Sequence, residues 1–389
     1  MDWIEATAVA VITGSAVADA LGGATEGWTP EQIEDRYGGP VSGIVGPFNQ
    51  DWRHARPIAP YHKGDGHVTD DTLMTRSLVD CYAARRAPLD AYAVADELVP
   101  RMMGDLMWVP ELEGEHLLLQ RVFLAEKWLV ARLHYGHVDP REAGVGNLVN
   151  CGAAMYMAPV GLAHMGDPAG AYQEAIDIAG AHQSSYGREA AGVFAAAVAQ
   201  ACAPGATVAE VMAAAQALAH DGTALALAAV AEAMSGVEPP TTVADRRELG
   251  RLLRATVAPF DSVGDMYRQQ SLDARRPSRT KSIEELPVAL GFVLAHRGDY
   301  REAVLGAVNY GRDADSIASM AGAICAGLAG PAAVPPDWLD QVEQASRMDL
   351  RATGRLMADV VRDLLAQETA RLQRRQRLIA QIGASEGQP

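Results

Sequence analysis

Gly311-Arg312-Asp313-Ala314-Asp315-Ser316-Ile317-Ala318-Ser319-Met320-Ala321-Gly322-Ala323 reads as a tight acidic turn opening a helix built largely of small residues. Ala, Ser and Gly let neighbouring helices approach closely, so such a helix belongs deep in a bundle. Acids at the mouth of a buried helix are costly unless a counter-ion meets them. Asp313 and Asp315, one residue apart, can converge on a cation from a turn, and the Ser316 hydroxyl can add a third oxygen. Acids at helix starts also serve simply as caps and first-turn charges, so this stretch by itself leaves both readings open.

Outward from it, segments 4–21, 72–86, 168–182, 187–202, 207–233 and 314–328 carry Ala, Leu, Val and Met at helical spacing, with Gly and Pro between them. Alternating runs rich in Val, Ile and Thr are nearly absent, which gives a sheet core little support. The expectation is an all-α, compact, single-domain bundle of many helices. Residues 23–68 concentrate Gly, Pro, Trp, Tyr and His and read as a long ordered loop with a short helix around Glu31 to Arg36. Loops of that length in a compact domain are usually functional. A Pro/Arg-rich stretch, 257–287, reads as loop and short helix. No internal repeat at a fixed period is evident.

From Asp340 to Ile382, Leu356, Val360, Val361, Leu364, Leu365, Leu372, Ile379 and Ile382 recur at helical spacing, with arginines at 371, 374, 375 and 377. This predicts an amphipathic terminal helix, docked on the body or on a partner chain, whose arginines are solvated rather than a nucleic-acid arm. The expected division is a body over 1–335 and a helical extension over 336–389 packed on it, its last few residues disordered. Monomer and homodimer both remain open.

Of the 389 residues, 49% are hydrophobic and 21% charged, enough apolar material for a large core. A formal net charge of −16 with a pI near 5.0 disfavours a nucleic-acid partner, since phosphate recognition needs a concentrated basic surface. The start, Met1-Asp2-Trp3-Ile4-Glu5, carries acids where a secretory signal needs positive charge, and no long uncharged apolar run suits a membrane span. A cytoplasmic protein without a membrane partner is expected. Cys81, Cys151, Cys202 and Cys325 are scattered, with no CxxC pair and no His at zinc-finger spacing, so neither a disulfide framework nor a structural zinc site is indicated, and they read as reduced core thiols.

A second acidic cluster, Val68-Thr69-Asp70-Asp71-Thr72, precedes the apolar helix 73–86. Thr69 or Asp70 can be an N-cap and Asp71 a first-turn acid. Capping is the commoner role for such acids taken alone; the alternative is that adjacent carboxylates and a hydroxyl supply the hard oxygen donors that Mg2+ or Mn2+ prefers.

At these two clusters the sequence resembles the ADP-ribosylglycohydrolase family, particularly the bacterial type that removes ADP-ribose from dinitrogenase reductase. Four family motifs recur in order: Ala18-Asp19-Ala20-Leu21-Gly22 followed by Glu26; Thr69 to Thr72; Gly152-Ala153-Ala154-Met155 with Ala158-Pro159-Val160-Gly161-Leu162; and Gly311 to Ser316. The resemblance spans roughly residues 8 to 330 and implies a single all-α domain with a binuclear Mg2+ (or Mn2+) centre. By the same resemblance the metal ligands are Thr69, Asp70, Asp71, Asp313, Asp315 and Ser316. Glu26, otherwise an ordinary loop acid, becomes the catalytic group that exchanges a proton. The central segment, with Gly152, Ala153, Met155 and Tyr156, shapes the substrate wall. His182 falls near a recurrent family histidine, although a histidine at a helix end is commonly structural.

Three positions depart from the pattern. Ala18 stands where the family usually has Gly, and Cys151 and Tyr156 stand where Asn and Arg are common. Trp28, Phe48, Trp52, Tyr61 and Tyr310 can stack on adenine or simply pack. Glu111 and Glu113, in a segment near Trp108, are further candidate acids. The activity implied is hydrolysis at C1 of ribose in an ADP-ribosylated protein, with arginine as leaving group. An alternative substrate is a small ribosylated, nucleotide or NAD-derived metabolite, motivated by Cys151 and Tyr156. A third alternative is a noncatalytic binding or structural relative.

Overall fold

Helix α1 (Trp3–Gly23) forms the axis of the protein in the computed structural model, which describes residues 1–51, 62–261 and 283–386. Asp2 caps its start, accepting the Glu5 amide at 2.9 Å, and every residue from Thr7 to Gly23 is buried. A helix apolar on all sides must be covered on all sides. Contrary to the sequence expectation, α1 is long and apolar enough to cross a membrane; 83% of that stretch is buried, as befits a core helix.

The chain continues through α2 (Pro30–Tyr37), α3 (Asp70–Arg85), α4 (Ala91–Ala93) and α5 (Val99–Gly104), then a hairpin of β1 (Leu106–Val109) and β2 (Gly114–Leu117). Next come α6 (Leu124–Leu129), α7 (Ala158–Ala163), α8 (Pro168–Gly180), α9 (Ser185–Ala201), α10 (Val208–Leu218), α11 (Asp221–Met234) and α12 (Val243–Val257). The last described helices are α13 (Glu285–Ala295), α14 (Tyr300–Tyr310), α15 (Ala314–Ala329), α16 (Pro336–Ser346) and α17 (Leu350–Glu386).

The hairpin pairs antiparallel, Leu106 opposite Leu117 and Val109 opposite Gly114. Four-residue strands are too short to show alternation, which is why the sequence does not announce them. Segment 207–233 is two helices rather than one: the His220 amide donates to Glu189 Oε1 at 2.7 Å and Asp221 takes φ 48°, so the Ala-rich run turns at its Asp221-Gly222 pair.

What positions the site is the packing of α15 on α1. A Cβ on Gly14 would lie 2.6 Å from Ala326 Cβ, and one on Gly322 would lie 2.7 Å from Ala18 Cβ and 2.7 Å from the Gly14 carbonyl oxygen. Gly22 meets the backbone of Ala314 directly. Small residues on both faces therefore bring the end of α1 against the start of α15, and Ala18 is accommodated by Gly322 opposite it. In the C-terminal segment, α17 packs on α1 and α3. Met357, Val360 and Val361 are buried there, while Leu372, Ile379 and Ile382 are exposed. The expected disordered terminus, together with residues 52–61 and most of 257–287, lies outside the described residues.

Candidate metal centre and active site

The acids of the two sequence clusters meet around Asp19, whose importance the sequence reading missed. Fully buried on α1, Asp19 accepts from the Thr69 amide at 2.9 Å, the Thr69 hydroxyl at 2.6 Å, the Thr72 amide at 3.2 Å and the Thr72 hydroxyl. Thr69 is indeed the N-cap of α3, accepting from the Asp71 amide, so capping and site-building are the same geometry here. Burial, then the neighbouring Asp315, pushes the Asp19 carboxyl up to about 6 despite those hydrogen bonds. Burial and Asp19 push Asp71 well above its ordinary value.

Donor atoms of Asp19, Asp71 and Asp315 lie within 4.8 Å of one another, and so do those of Glu26, Asp313 and Asp315. Asp315 belongs to both groups. Glu26 reaches its group because the loop after α1 is pinned to the acidic turn: the Gly27 amide donates to the Arg312 carbonyl, and the Arg312 amide donates to the Trp28 carbonyl at 3.1 Å. Gly311, at φ 71°, touches that same Trp28 carbonyl so closely that a Cβ could not fit. Arg312 is held in turn by Glu284 at 2.7 Å.

Lys63, also unforeseen, places its ammonium among these carboxylates, bonded to Glu26 and, at 2.8 Å, to Asp315 Oδ2. Burial opposes the charge on Lys63, but Asp315, Asp70 and Asp313 outweigh it and its pKa rises. Asp315 responds inversely: burial lifts its pKa, but Lys63 outweighs that and the net shift is downward. Burial likewise raises Asp70, whose Oδ2 accepts the Phe123 amide at 3.0 Å. Ser319 donates to Asp71 Oδ1 at 2.8 Å. One ammonium against so many buried carboxylates leaves a donor set suited to hard divalent cations.

Of the six expected ligands, Asp71, Asp313 and Asp315 stand in these groups. Thr69 adjoins them through Asp19, Asp70 through Lys63, and Ser316 through the Cys151 thiol, 3.3 Å away. Burial raises the pKa of Cys151 well above the ordinary thiol value, and its Sγ lies 3.1 Å from Asp313 Oδ2. The turn Cys151–Ala153 that follows is capped by Asn150, whose Oδ1 accepts from Gly152 and from Gln183. Gly152 packs closely here: a Cβ would lie 2.5 Å from Glu126 Oε1, so a larger residue would displace that side chain. Ala153 and Met155 are buried beside it.

Tyr156 and His182 are fully buried and bonded to each other at 3.0 Å. His182 Nε2 faces the Ala125 carbonyl at 3.0 Å, and burial depresses the imidazole to about 4, so it is neutral, donates to Ala125 and accepts from the tyrosine. Glu111 accepts the His62 amide at 2.7 Å and faces Arg121 at 3.4 Å; Glu113 ends the following turn at φ 51°. Among the aromatics, Trp28 stacks on Phe48 with centroids 3.6 Å apart, and Tyr310 is buried against Phe292 and bonded to Glu284. Trp52 and Tyr61 lie outside the described residues.

A helical bundle that gathers two acidic turns and a loop glutamate around one point offers a donor set that a divalent cation could occupy. The ADP-ribosylglycohydrolase family model matches residues 3–375, and the chain belongs to that family of glycosyl-bond hydrolases. It is 26% identical over 335 residues, 81% of this chain and 76% of its relative, to ADP-ribosylarginine hydrolase Tri1 of Pseudomonas putida (strain GB-1). A solved structure, an ADP-ribosylglycohydrolase-related protein complex, shares the fold with a TM-score of 0.60 at 19% identity, covering 93% of this chain and all of its own.

Proposed function

We propose that this protein hydrolyses the bond at C1 of ribose in an ADP-ribosylated substrate, with arginine as the leaving group, and that it holds two Mg2+ ions, replaceable by Mn2+. The observation that carries the reading is the convergence of Glu26, Asp313 and Asp315 from two distant parts of the chain, adjoining Asp19 and Asp71. Thr69, Asp70, Asp71, Asp313, Asp315 and Ser316 would hold the ions, with Asp19 fixing the Thr69–Thr72 turn. When bound, the ions would supply Lewis-acid polarisation and a fixed seat for ribose hydroxyls.

Glu26 takes the proton of the attacking water as its oxygen adds to C1 and the C1–N bond breaks; the leaving guanidine nitrogen then takes up a proton. Positive charge grows on the ribose as that bond lengthens, and the surrounding carboxylates stabilise it. Lys63 holds Glu26 beside Asp315 and offsets mutual repulsion among the acids. Gly152, Ala153 and Met155 form the substrate wall, with Tyr156 and His182 bracing it from behind. The similarity to a protein named an ADP-ribosylarginine hydrolase supports arginine as leaving group.

The thiol of Cys151 beside Asp313 favours a second reading, a small ribosylated metabolite as substrate, because it alters the wall and not the acids. A panel of ADP-ribosyl-arginine, ADP-ribosyl-serine, O-acetyl-ADP-ribose and free nucleotides, each with Mg2+ and with chelator, decides. Mg2+-dependent release of ADP-ribose from the arginine conjugate is expected. Turnover confined to free nucleotides would favour the metabolite, and turnover of none would leave a binding protein.

A further inference from the structure

Cys151 does not stand apart from the acids. With Asp313 and Glu285 it forms a third group of donor atoms lying within 4.8 Å of one another. The thiol and the two carboxylates are all buried, at 2%, 8% and 4% exposure respectively. Glu285 opens α13, where a first-turn acid is ordinary, but the helix from Leu286 to Val293 is wholly buried and apolar, so here the carboxylate lies in the interior rather than in water. Its Oε2 is buried and finds no hydrogen-bond partner among the described residues. A buried carboxylate in that condition is expensive, and a neighbouring thiol and second acid do not relieve it. A cation between the three would.

The donor chemistry selects which cation. Oxygen-only centres suit Mg2+ and Mn2+, whereas a thiolate favours softer ions. Zinc takes sulfur at about 2.3 Å and carboxylate oxygen at about 2.0–2.2 Å, which in tetrahedral geometry sets the two donors about 3.5 Å apart. The observed 3.1 Å between Cys151 Sγ and Asp313 Oδ2 needs only a small adjustment to reach that separation. Three protein ligands leave a fourth position for water or a substrate atom.

We infer that Cys151, Asp313 and Glu285 form a site for a thiophilic divalent ion of the zinc class, adjoining the all-oxygen centre and sharing Asp313 with it. On binding, the Cys151 S–H bond breaks, its proton leaves to solvent and a metal–sulfur bond forms, with no change of oxidation state. Because Asp313 serves both centres, the occupant of the thiol site governs how much of that carboxylate remains for the oxygen centre. The inference rests on the metal-centre reading only through Asp313, and not on any catalytic step.

Co2+ is the probe, added to the full chain after chelator treatment. A near-ultraviolet thiolate-to-cobalt charge-transfer band should grow to saturation at one equivalent and be bleached by Zn2+. Outer partners of a metal site typically contribute about 10–100-fold in affinity, so loss of a direct ligand in Cys151→Ser should weaken Zn2+ binding by at least about a hundredfold and abolish the band. Glu285→Gln should keep a weakened band. Mn2+ binding, followed by its paramagnetic resonance signal, checks the oxygen centre and the folding of each variant; Cys151→Asn replaces the serine variant if that one fails the check. No band in a wild-type protein that binds Mn2+ overturns the thiol site and leaves the oxygen centre standing. A band that survives both Cys151 variants also overturns it, since another thiol would be the ligand. Binding of neither ion overturns both readings.

Discussion

Replacing Asp19 by Asn should stabilise the metal-free protein at pH 8 and change it little at pH 4. The Asp19 carboxyl is raised from 3.8 to about 6, chiefly by burial and then by Asp315. A raised folded-state pKa means that the ionised form is disfavoured in the fold. The resulting cost is therefore fully present above about pH 6, fades as pH falls through that value, and vanishes below 3.8. At about 1.4 kcal/mol per pH unit the cost reaches about 3 kcal/mol at pH 8 and shrinks to about half a kcal/mol at pH 4. Asparagine can keep an oxygen where Oδ2 now accepts from Thr69 and from both donors of Thr72. Its amide would face the Thr69 hydroxyl, which can accept from it and give its own proton to Asp71 Oδ2, 3.3 Å away. With an unfolding entropy of about 2 cal/mol/K per residue, 3 kcal/mol corresponds to a rise of about 4 °C in melting temperature for a chain of 389 residues. Calorimetry in chelator at the two pH values measures it directly. Saturating Mg2+ should cancel the gain, since the ion adds positive charge beside Asp19 to that of Arg121. A difference independent of pH, or a loss of stability at pH 8 in chelator, would refute the reasoning.

The remaining expectations address the other acids and their ammonium. Asp315→Ala, which removes the residue shared by both donor groups, should abolish turnover while far-ultraviolet circular dichroism stays helical; wild-type activity at saturating Mg2+ would exclude the metal role. Glu26→Gln should lower turnover at saturating metal by about 10²- to 10⁴-fold, the range of a general base, and unchanged turnover would return Glu26 to being a loop acid. Lys63→Met breaks a partly buried ion pair, so the chelated protein should lose stability in denaturant unfolding, by less than the about 3–5 kcal/mol of a fully buried pair, while Mg2+ affinity measured by titration calorimetry should rise. Unchanged stability and affinity would mean that Lys63 is no counter-ion at this site.

The acids legible in the sequence are those that cluster there. Asp70 with Asp71, and Asp313 with Asp315, stand side by side on turns before apolar helices, and the structure brings both turns to one place. The all-helical class was legible for a similar reason, because helical periodicity is a local property; the hairpin was too short to read, and the break at His220, marked only by Asp221-Gly222, was masked by the Ala-rich run around it. Asp19, Lys63 and Glu285 arrive singly from elements whose relative placement no local pattern encodes. Asp19 did carry a signal, being the acid deep in a helix buried on every side, a position that demands partners. Lys63 and Glu285 carried less, since a lysine in a Gly- and His-rich loop and a glutamate opening an apolar helix are both ordinary.

What brings these residues together is contact between backbones, and this extends the site to residues that touch no ligand. Successive residues on a helix point about 100° apart, so rotating α1 by one position against α15 would aim Asp19 away from Thr69, Thr72 and Asp315 altogether. The observed register is tight because a Cβ on Gly14 would meet Ala326 and one on Gly322 would meet Ala18 and the Gly14 carbonyl, and the Gly22–Ala314 contact allows no larger residue at that close approach. A methyl group on Gly322 would therefore act on the acids about two helical turns away. It would separate α1 from α15 and lengthen the distances among Asp19, Asp71 and Asp315 without altering a single donor atom.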